Sequence, residues 1–232
     1  MSRKTLLVLS GAGVSAESGI RTFRESNGLW ENHDVMEVAS PEGWKRNRAL
    51  VLDFYNQRRK QARDCQPNAA HLALARLEQH LQVKIITQNV DDLHERAGSS
   101  SVLHLHGELR KAQSTLDPKL VYDLDHWEIK EGDKCEKGSQ LRPFIVWFGE
   151  AVPMMYPAME WMERADFVLI IGTSLQVYPA ASLIDYAPAH AKKYLIDPNP
   201  PGSYLRSVEV IPEPATVGIR RFEEMILREI ES

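Results

Sequence analysis

The stretch GAGVSAESGIRTFR, Gly11 to Arg24, follows directly on the apolar run Leu6-Leu7-Val8-Leu9. Gly11, Gly13 and Ala16 fit the pattern G-x-G-x-x-G/A after a strand, in which glycines permit a tight turn and let backbone approach a pyrophosphate at a helix N-terminus. Taken alone the pattern is weak. A dinucleotide fingerprint also needs a second strand and an acidic ribose ligand within a βαβ unit of about 30 residues, and here the next convincing strand begins near Val83. The turn therefore does not read as an ordinary dehydrogenase fingerprint. Ser15, Glu17 and Ser18 add polar groups at the first helical turn, and Arg21-Thr22-Phe23-Arg24 places two guanidinium groups around an aromatic, which suits a second phosphate contact. Read singly, the same arginines are surface charges and Phe23 a core residue.

The chain of 232 residues is long enough for one core with a smaller lobe inserted into it. A net charge of −4 gives no electrostatic reason to bind nucleic acid or a membrane surface, and no apolar run approaches the roughly 20 residues that span a bilayer. The expectation is a cytoplasmic monomer with neither kind of partner. Two cysteines far apart, Cys65 and Cys135, argue against a disulfide scaffold and against a four-cysteine zinc site made by this chain alone.

Short apolar or β-branched runs predict strands over Thr5–Ser10, Val83–Thr87, Val102–Leu105, Phe144–Phe148, Phe167–Ile171 and Lys193–Ile196. Helical spacing marks Pro67–His80, through Ala70, Leu74 and Leu77, and Ala180–Tyr186. Strands alternating with helices mean a mostly parallel α/β sheet. Glu31–Arg63 and Lys111–Gln140 break the alternation and read as insertions. The expected organisation is a Rossmann-type α/β domain from residues 1–30, 80–110 and 143–232, with a small domain from 31–79 and 111–142.

Gln88-Asn89-Val90-Asp91 would stand at the carboxyl end of a parallel strand, where ligands of open α/β sheets sit. Asn89 offers both donor and acceptor to a carboxamide, and Asp91 can accept from ribose hydroxyls or cap the turn at Leu93. In His104-Leu105-His106-Gly107 the two imidazoles share one strand face, and Gly107 allows a sharp turn after His106. A histidine so placed suits a general base near neutral pH, and equally a satisfied structural role. No third ligand with good spacing makes the pair a metal site.

GAGVSAESGIRTFR, TQNVDDLH, HLHGE, VWFGE and GTSLQVYPAA together resemble, in order and approximate spacing, the sirtuins, NAD-dependent protein lysine deacylases. The resemblance covers nearly the whole chain and implies that NAD is a consumed co-substrate bound between two domains. It implies that Gly11, Ala12, Gly13, Glu17 and Arg24 belong to the cofactor site, with Phe23 shielding the ribosyl centre. Gln88, Asn89 and Asp91 would line the nicotinamide and ribose pocket, and His106 would be the general base. Gly172, Thr173 and Ser174 would face the cofactor, with Asp197 and Asn199 near the adenosine ribose and Ala215 near the adenine. The backbone of Val146, Trp147, Phe148 and Gly149 would pair with an acyl-lysine peptide as an added strand. The products would be deacylated lysine, nicotinamide and O-acyl-ADP-ribose.

Tyr55-Asn56-Gln57-Arg58 resembles the Y-x-x-R signature of class III sirtuins, which remove succinyl and malonyl as well as acetyl groups. On a helix, positions i and i+3 share a face, so Tyr55 and Arg58 can converge on one carboxylate. Thr22 fits the same branch. Most sirtuins hold a structural zinc with two cysteine pairs, whereas Lys111–Gln140 retains only Cys135. One thiolate cannot replace four. The expectation is a zinc-free small domain packed by side chains such as Leu120, Tyr122 and Trp127. Asp197-Pro198-Asn199 departs from the family, which more often leads that segment with asparagine.

Overall fold

The computed structural model describes residues 3–20, 29–30, 33–173, 175, 177–200 and 207–231. In chain order the elements are β1 (Thr5–Ser10), α1 (Gly13–Ala16), β2 (Leu29–Trp30), β3 (His33–Asp34), α2 (Val35–Val38), α3 (Pro41–Arg46) and α4 (Arg48–Asp64). Then come α5 (Ala69–Leu77), β4 (Gln82–Thr87), α6 (Leu93–Arg96), β5 (Val102–His104), β6 (Gly107–Ser114), β7 (Val121–Asp123) and β8 (Leu141–Ile145). The last are α7 (Met155–Met162), β9 (Phe167–Ile171), a 3-10 helix (Ala180–Tyr186), β10 (Lys192–Ile196), β11 (Val208–Ile211) and α8 (Ala215–Glu231).

Six strands pair in parallel in the order β11-β10-β9-β1-β4-β5. Numbered among themselves along the chain and read from the β5 edge, they run 3-2-1-4-5-6, the order of a Rossmann-type sheet. β1 is central, and every one of its residues is buried. Alternate side chains leave on opposite faces: Leu6 and Val8 meet Leu74 of α5 and Phe222 of α8, while Leu7 and Leu9 meet Met162 of α7 and Leu183 of the 3-10 helix. That two-sided cover explains why β1 and β9 read as continuous apolar runs.

The second lobe is an antiparallel sheet in the order β7-β6-β8, covered by α2, α3 and α4. Val51, Leu52, Phe54 and Tyr55 of α4 pack there with Ala112, Ile129, Ile145 and Trp147. Polar residues of the same helix complete the join. Asn56 Nδ2 donates to Ile129 O at 3.0 Å while its Oδ1 accepts from Ile129 N at 2.9 Å. Arg59, buried, donates to Leu109 O and Trp127 O at 2.6 and 2.7 Å.

Several expectations need correction. The strand placed at Phe144–Phe148 is β8, Leu141–Ile145, and it pairs with β6 in the small lobe. An apolar run looks the same in either sheet, but Pro143 is tolerated because β8 is an edge strand. Residues 107–110 and 143–145 therefore belong with the small sheet. α5 packs on the large sheet, so residues 69–77 do not belong with the insertion. β11 and α8 were not anticipated: of β11 only Ile211 is buried, which leaves it little apolar signature. The small lobe is not packed on Leu120, Tyr122 and Trp127. Leu120 and Tyr122 are half-buried and Trp127 is exposed, whereas Ile129, Ala112 and the α4 residues fill its core.

Candidate active site

The order of the large sheet reverses between β1 and β9, which opens a crevice at their carboxyl ends. The glycine turn lies there, against the loop after β9. Gly11 N donates to Ile171 O at 3.1 Å and Gly13 N to Gly172 O at 2.8 Å. A Cβ on Gly11 would stand 2.7 Å from Thr173 Cβ, and one on Gly13 2.8 Å from Gly172 Cα. Gly172 has φ +62°, and a Cβ there would meet Val14 N at 2.2 Å. The glycines are thus required for contact between two loops of the protein itself.

Ala12 occupies the N-cap position of the short helix α1. Glu17, expected at the cofactor, is engaged elsewhere: its carboxylate accepts from Thr216 N at 3.0 Å and Thr216 Oγ1 at 2.7 Å, capping the first turn of α8. Ala215 begins α8 with its side chain in the core beside Ile211. Asp197 is buried at the end of β10 and accepts from Asn199 N at 2.9 Å, while Asn199 itself is exposed. Thr22, Phe23, Arg24 and Ser174 lie outside the described residues.

The loop after β4 crosses the crevice. Gln88 N donates to Ser10 O at 2.9 Å, and Gln88 Nε2 reaches over β1 to Thr173 Oγ1 at 3.0 Å. Asn89 N donates to Thr87 Oγ1 at 3.0 Å and Asn89 Nδ2 to Ser15 Oγ at 3.1 Å. Asp91 Oδ1 accepts from Leu93 N at 3.2 Å and Ser15 Oγ at 3.4 Å. Burial pushes the Asp91 carboxyl up to about 6, against the pull of those two donors. Asp91 thus caps the turn at Leu93 while its carboxyl is buried beside Ser15.

His106 stands between β5 and β6. Its Nδ1 lies 3.1 Å from Gln88 O, and because a carbonyl only accepts, Nδ1 carries the proton and Nε2 is the ring's acceptor. Burial lowers its pKa from the ordinary imidazole value, against the Gln88 carbonyl, and so favours the neutral ring. A neutral imidazole with a defined acceptor nitrogen can serve as a general base. Gly107, at φ +84°, turns the chain at once: a Cβ there would sit 2.1 Å from Phe144 O.

Two further histidines lie beneath the loop. His71 Nε2 is 3.4 Å from Ser15 Oγ, His94 Nε2 is 3.0 Å from Ser10 Oγ, and the rings meet edge to face at 4.8 Å. Burial holds His71 down to about 4 and His94 well below its usual value. Neither was anticipated, although His71 stands three residues before Leu74 on an apolar helix face, where a polar side chain needs a buried partner.

The two candidate acyl-group residues differ in burial, Arg58 being half-buried and Tyr55 fully buried. Arg58 lines a small cavity with Ile20, Trp30, Val90, Asp91 and Leu109, and its guanidinium lies 5.3 Å from the Phe54 ring centre. Tyr55 is fully buried, with its hydroxyl accepting from Trp147 Nε1 at 3.1 Å. Val146–Gly149 is not a strand. Val146 N donates to His106 O and Phe148 N to Ala39 O, both at 2.9 Å, and Gly149 turns at φ +89°. Trp147 N donates to Glu150 Oε2 at 2.8 Å, and Glu150 in turn holds Arg142 bidentately at 2.7 and 3.1 Å.

Residues 11–179 match the model of the Sir2 family. The chain belongs to the Sir2 family. Among its Sir2 relatives, a Helicobacter pylori protein named NAD-dependent protein deacylase is 60% identical, over 91% of this chain and 93% of the relative. A solved Sir2 homologue in complex with NAD superimposes with TM-score 0.87 at 38% identity, covering 99% of this chain and 91% of that one. A Sir2 structure bound to acetylated peptide gives TM-score 0.80 at 26% identity, over 97% and 94%.

This Sir2 chain carries a hydrogen-bonded knot at the tip of its small lobe. Cys135 Sγ lies 3.3 Å from Ser114 Oγ and 3.2 Å from Ser139 Oγ, and the two serine hydroxyls are 2.9 Å apart. Ser114 Oγ also accepts from Leu116 N and Asp117 N, both at 3.1 Å. Two turns are so joined side by side. Among the described residues no group of three or more His, Cys, Asp or Glu is placed to hold a metal ion, and no helix is long and apolar enough to cross a membrane.

Proposed function

We propose that this NAD-dependent protein deacylase removes acetyl and succinyl or malonyl groups from lysine, with His106 as its general base. The observation that carries the reading is the fixed tautomer of His106, whose Nδ1 is held by Gln88 O beside Asn89 and Asp91 at the sheet's carboxyl end. The donor set fits NAD. Amide side chains at Gln88 and Asn89, a carboxylate at Asp91 and a buried carboxylate at Asp197 offer both donors and acceptors to a carboxamide and two riboses. Gly11, Ala12, Gly13 and Arg24 would hold the phosphates, with Gly172, Thr173, Ser174 and Asn199 along the adenosine half and Ala215 at the adenine. Phe23 would cover the ribosyl centre.

In the reaction the acyl oxygen of the peptide attacks the anomeric carbon and nicotinamide leaves. His106 Nε2 then takes the proton of a ribose hydroxyl, whose oxygen attacks the acyl carbon. The carbon–nitrogen bond breaks, lysine leaves as the free amine with a proton returned by the imidazole, and one water adds to the acyl carbon now bridging two ribose oxygens to give O-acyl-ADP-ribose. The Val146–Gly149 segment would hold the peptide backbone, which suits substrates of varied sequence. Arg58, lining a cavity with Asp91, supports recognition of an acyl carboxylate by a guanidinium. Tyr55 would join it through the proton its hydroxyl keeps while accepting from Trp147. The knot of Ser114, Cys135 and Ser139 supports a small lobe held without zinc.

Incubation with NAD and acetyl- or succinyl-lysine peptides, followed by peptide mass and nicotinamide, tests the activity. Nicotinamide release independent of acyl peptide favours an NAD glycohydrolase or ADP-ribosyltransferase instead. Arg58→Met is expected to spare deacetylation and cripple desuccinylation, and equal loss of both removes the case for a carboxylate pocket.

A further inference from the structure

Three successive carbonyls of the loop after β4 are taken by one short segment, residues 104–109. Gln88 O accepts from His106 Nδ1 at 3.1 Å, Asn89 O from His104 Nδ1 at 2.8 Å, and Val90 O from Leu109 N at 2.8 Å. The two histidines reach neighbouring carbonyls because residues two apart on an extended chain face the same side. His106 has a chemical role in the reaction; His104 has none. Its ring is nonetheless more tightly held, with Nε2 2.7 Å from Glu95 Oε1 on α6 and only 7% of the side chain exposed.

Neither a carbonyl nor a carboxylate can donate, so both nitrogens of His104 carry protons and the ring is an imidazolium. Burial opposes that charge. Glu95 and the Asn89 carbonyl outweigh it, with Glu108 of β6 adding a smaller favourable field, and Asp91 and His94 also feel the charge.

We propose that His104 is a positioning residue for NAD cleavage, acting by holding the Asn89 carbonyl and so the shape of the Gln88–Asp91 loop. Asn89 is gripped at three points: its N–H by Thr87 Oγ1, its side chain by Ser15 and its carbonyl by His104. The peptide between Asn89 and Val90 sets where both the Asn89 amide and the Asp91 carboxylate stand. With the carbonyl released, that peptide turns more freely and neither side chain keeps its place relative to His106. Glu95 has the different task of keeping the imidazole charged and anchored to α6. This rests on the deacylase reading only in that NAD is cleaved at this site.

Two variants separate the grips. Asparagine carries its side-chain nitrogen near the position of Nδ1, and glutamine carries it near Nε2, so His104→Asn keeps the bond to Asn89 O and His104→Gln keeps the bond to Glu95. Nicotinamide release would be measured over a range of NAD concentrations up to saturation, with and without acetyl-lysine peptide, and kcat normalised to the folded fraction from thermal melts. His104→Gln is expected to lose about 10- to 100-fold in kcat with KM for NAD within about 3-fold, and His104→Asn to stay within about 5-fold of wild type. Equal normalised kcat in the two variants, or glutamine outperforming asparagine, overturns the positioning role. Release from wild type that ignores the peptide overturns deacylation while leaving the comparison of variants intact. No release from wild type under any condition overturns both.

Discussion

Trp147 Nε1 donates to the hydroxyl oxygen of Tyr55 across 3.1 Å, tying the turn after β8 to the middle of α4. Trp147 is 2% exposed and Tyr55 0%, so neither group has water as an alternative partner. Burial raises the phenol pKa, and the hydroxyl keeps a proton to donate while it accepts the indole.

Tyr55→Phe leaves the indole N–H buried and unpaired, and is expected to cost about 1–3 kcal/mol by urea denaturation. If the phenol proton also meets an acyl carboxylate, the same variant lowers kcat/KM for a succinyl-lysine peptide about tenfold while changing the acetyl value less than about threefold. A fall shared by both peptides would leave Tyr55 a purely structural role.

Gly172→Ala meets two obstacles, a left-handed backbone at φ +62° and a Cβ 2.2 Å from Val14 N. The expected loss is roughly 2–4 kcal/mol, together with weakened NAD binding because the glycine turn must retreat. Urea titration and NAD calorimetry on one preparation measure both. Full stability in the alanine variant contradicts the close approach of the two loops.

Stability against pH should expose two buried groups of opposite sign. The folded Asp91 carboxyl sits at about 6, against about 3.9 when unfolded. Its contribution is complete below about pH 4 and is lost as pH rises through 6, a swing of about 3 kcal/mol. His71 sits at about 4, against about 6.5 unfolded, so its contribution is present above about 6.5 and lost as pH falls through 4. The two largely cancel over that window. Asp91→Asn is expected to be more stable than wild type at pH 7, by up to about 3 kcal/mol, and to lose that advantage on acidification to pH 4. Parallel stability curves from pH 4 to 8 would show that Asp91 titrates normally.

At the tip of the small lobe, Ser114→Ala removes an oxygen that accepts from Leu116 N and Asp117 N and touches Cys135 and Ser139. A loss of about 1–3 kcal/mol is expected, while a strong chelator leaves the wild-type melting temperature unchanged. One tightly held zinc per chain by metal analysis would refute the zinc-free reading.

The parallel sheet was legible because β1 and β9 are apolar runs buried from both sides, and that burial writes itself into consecutive residues. β8 was misplaced for the same reason: Phe144–Phe148 is an apolar run too, and only pairing partners tell the two sheets apart. Within the site, Gln88, Asn89, Asp91 and His106 do converge at one end of the sheet, because strand ends follow from strand positions. Glu17 did not follow that logic. Its partner is Thr216, 199 residues away, and nothing local to Glu17 announces it. His71 and His94 were passed over because a histidine inside an apolar pattern gains its meaning from a hydroxyl on a distant element, here Ser15 of α1 and Ser10 of β1. Tyr55 and Arg58 share a helix face by spacing, yet packing against Trp147 gives the phenol a different neighbour from the guanidinium.

The fit of Gly11 and Gly13 against Gly172 bears on how the protein is made. The turn that opens the sequence is completed by a loop about 160 residues later, so it closes only after β9 has left the ribosome. A nascent chain stalled before residue 172 would carry the whole glycine motif and no formed nucleotide crevice, and its β1 would have β4 to pair with on one side while the β9 side stayed open until that strand emerged. The glycine turn, translated well ahead of the loop it packs on, is thus among the last parts to acquire its working shape.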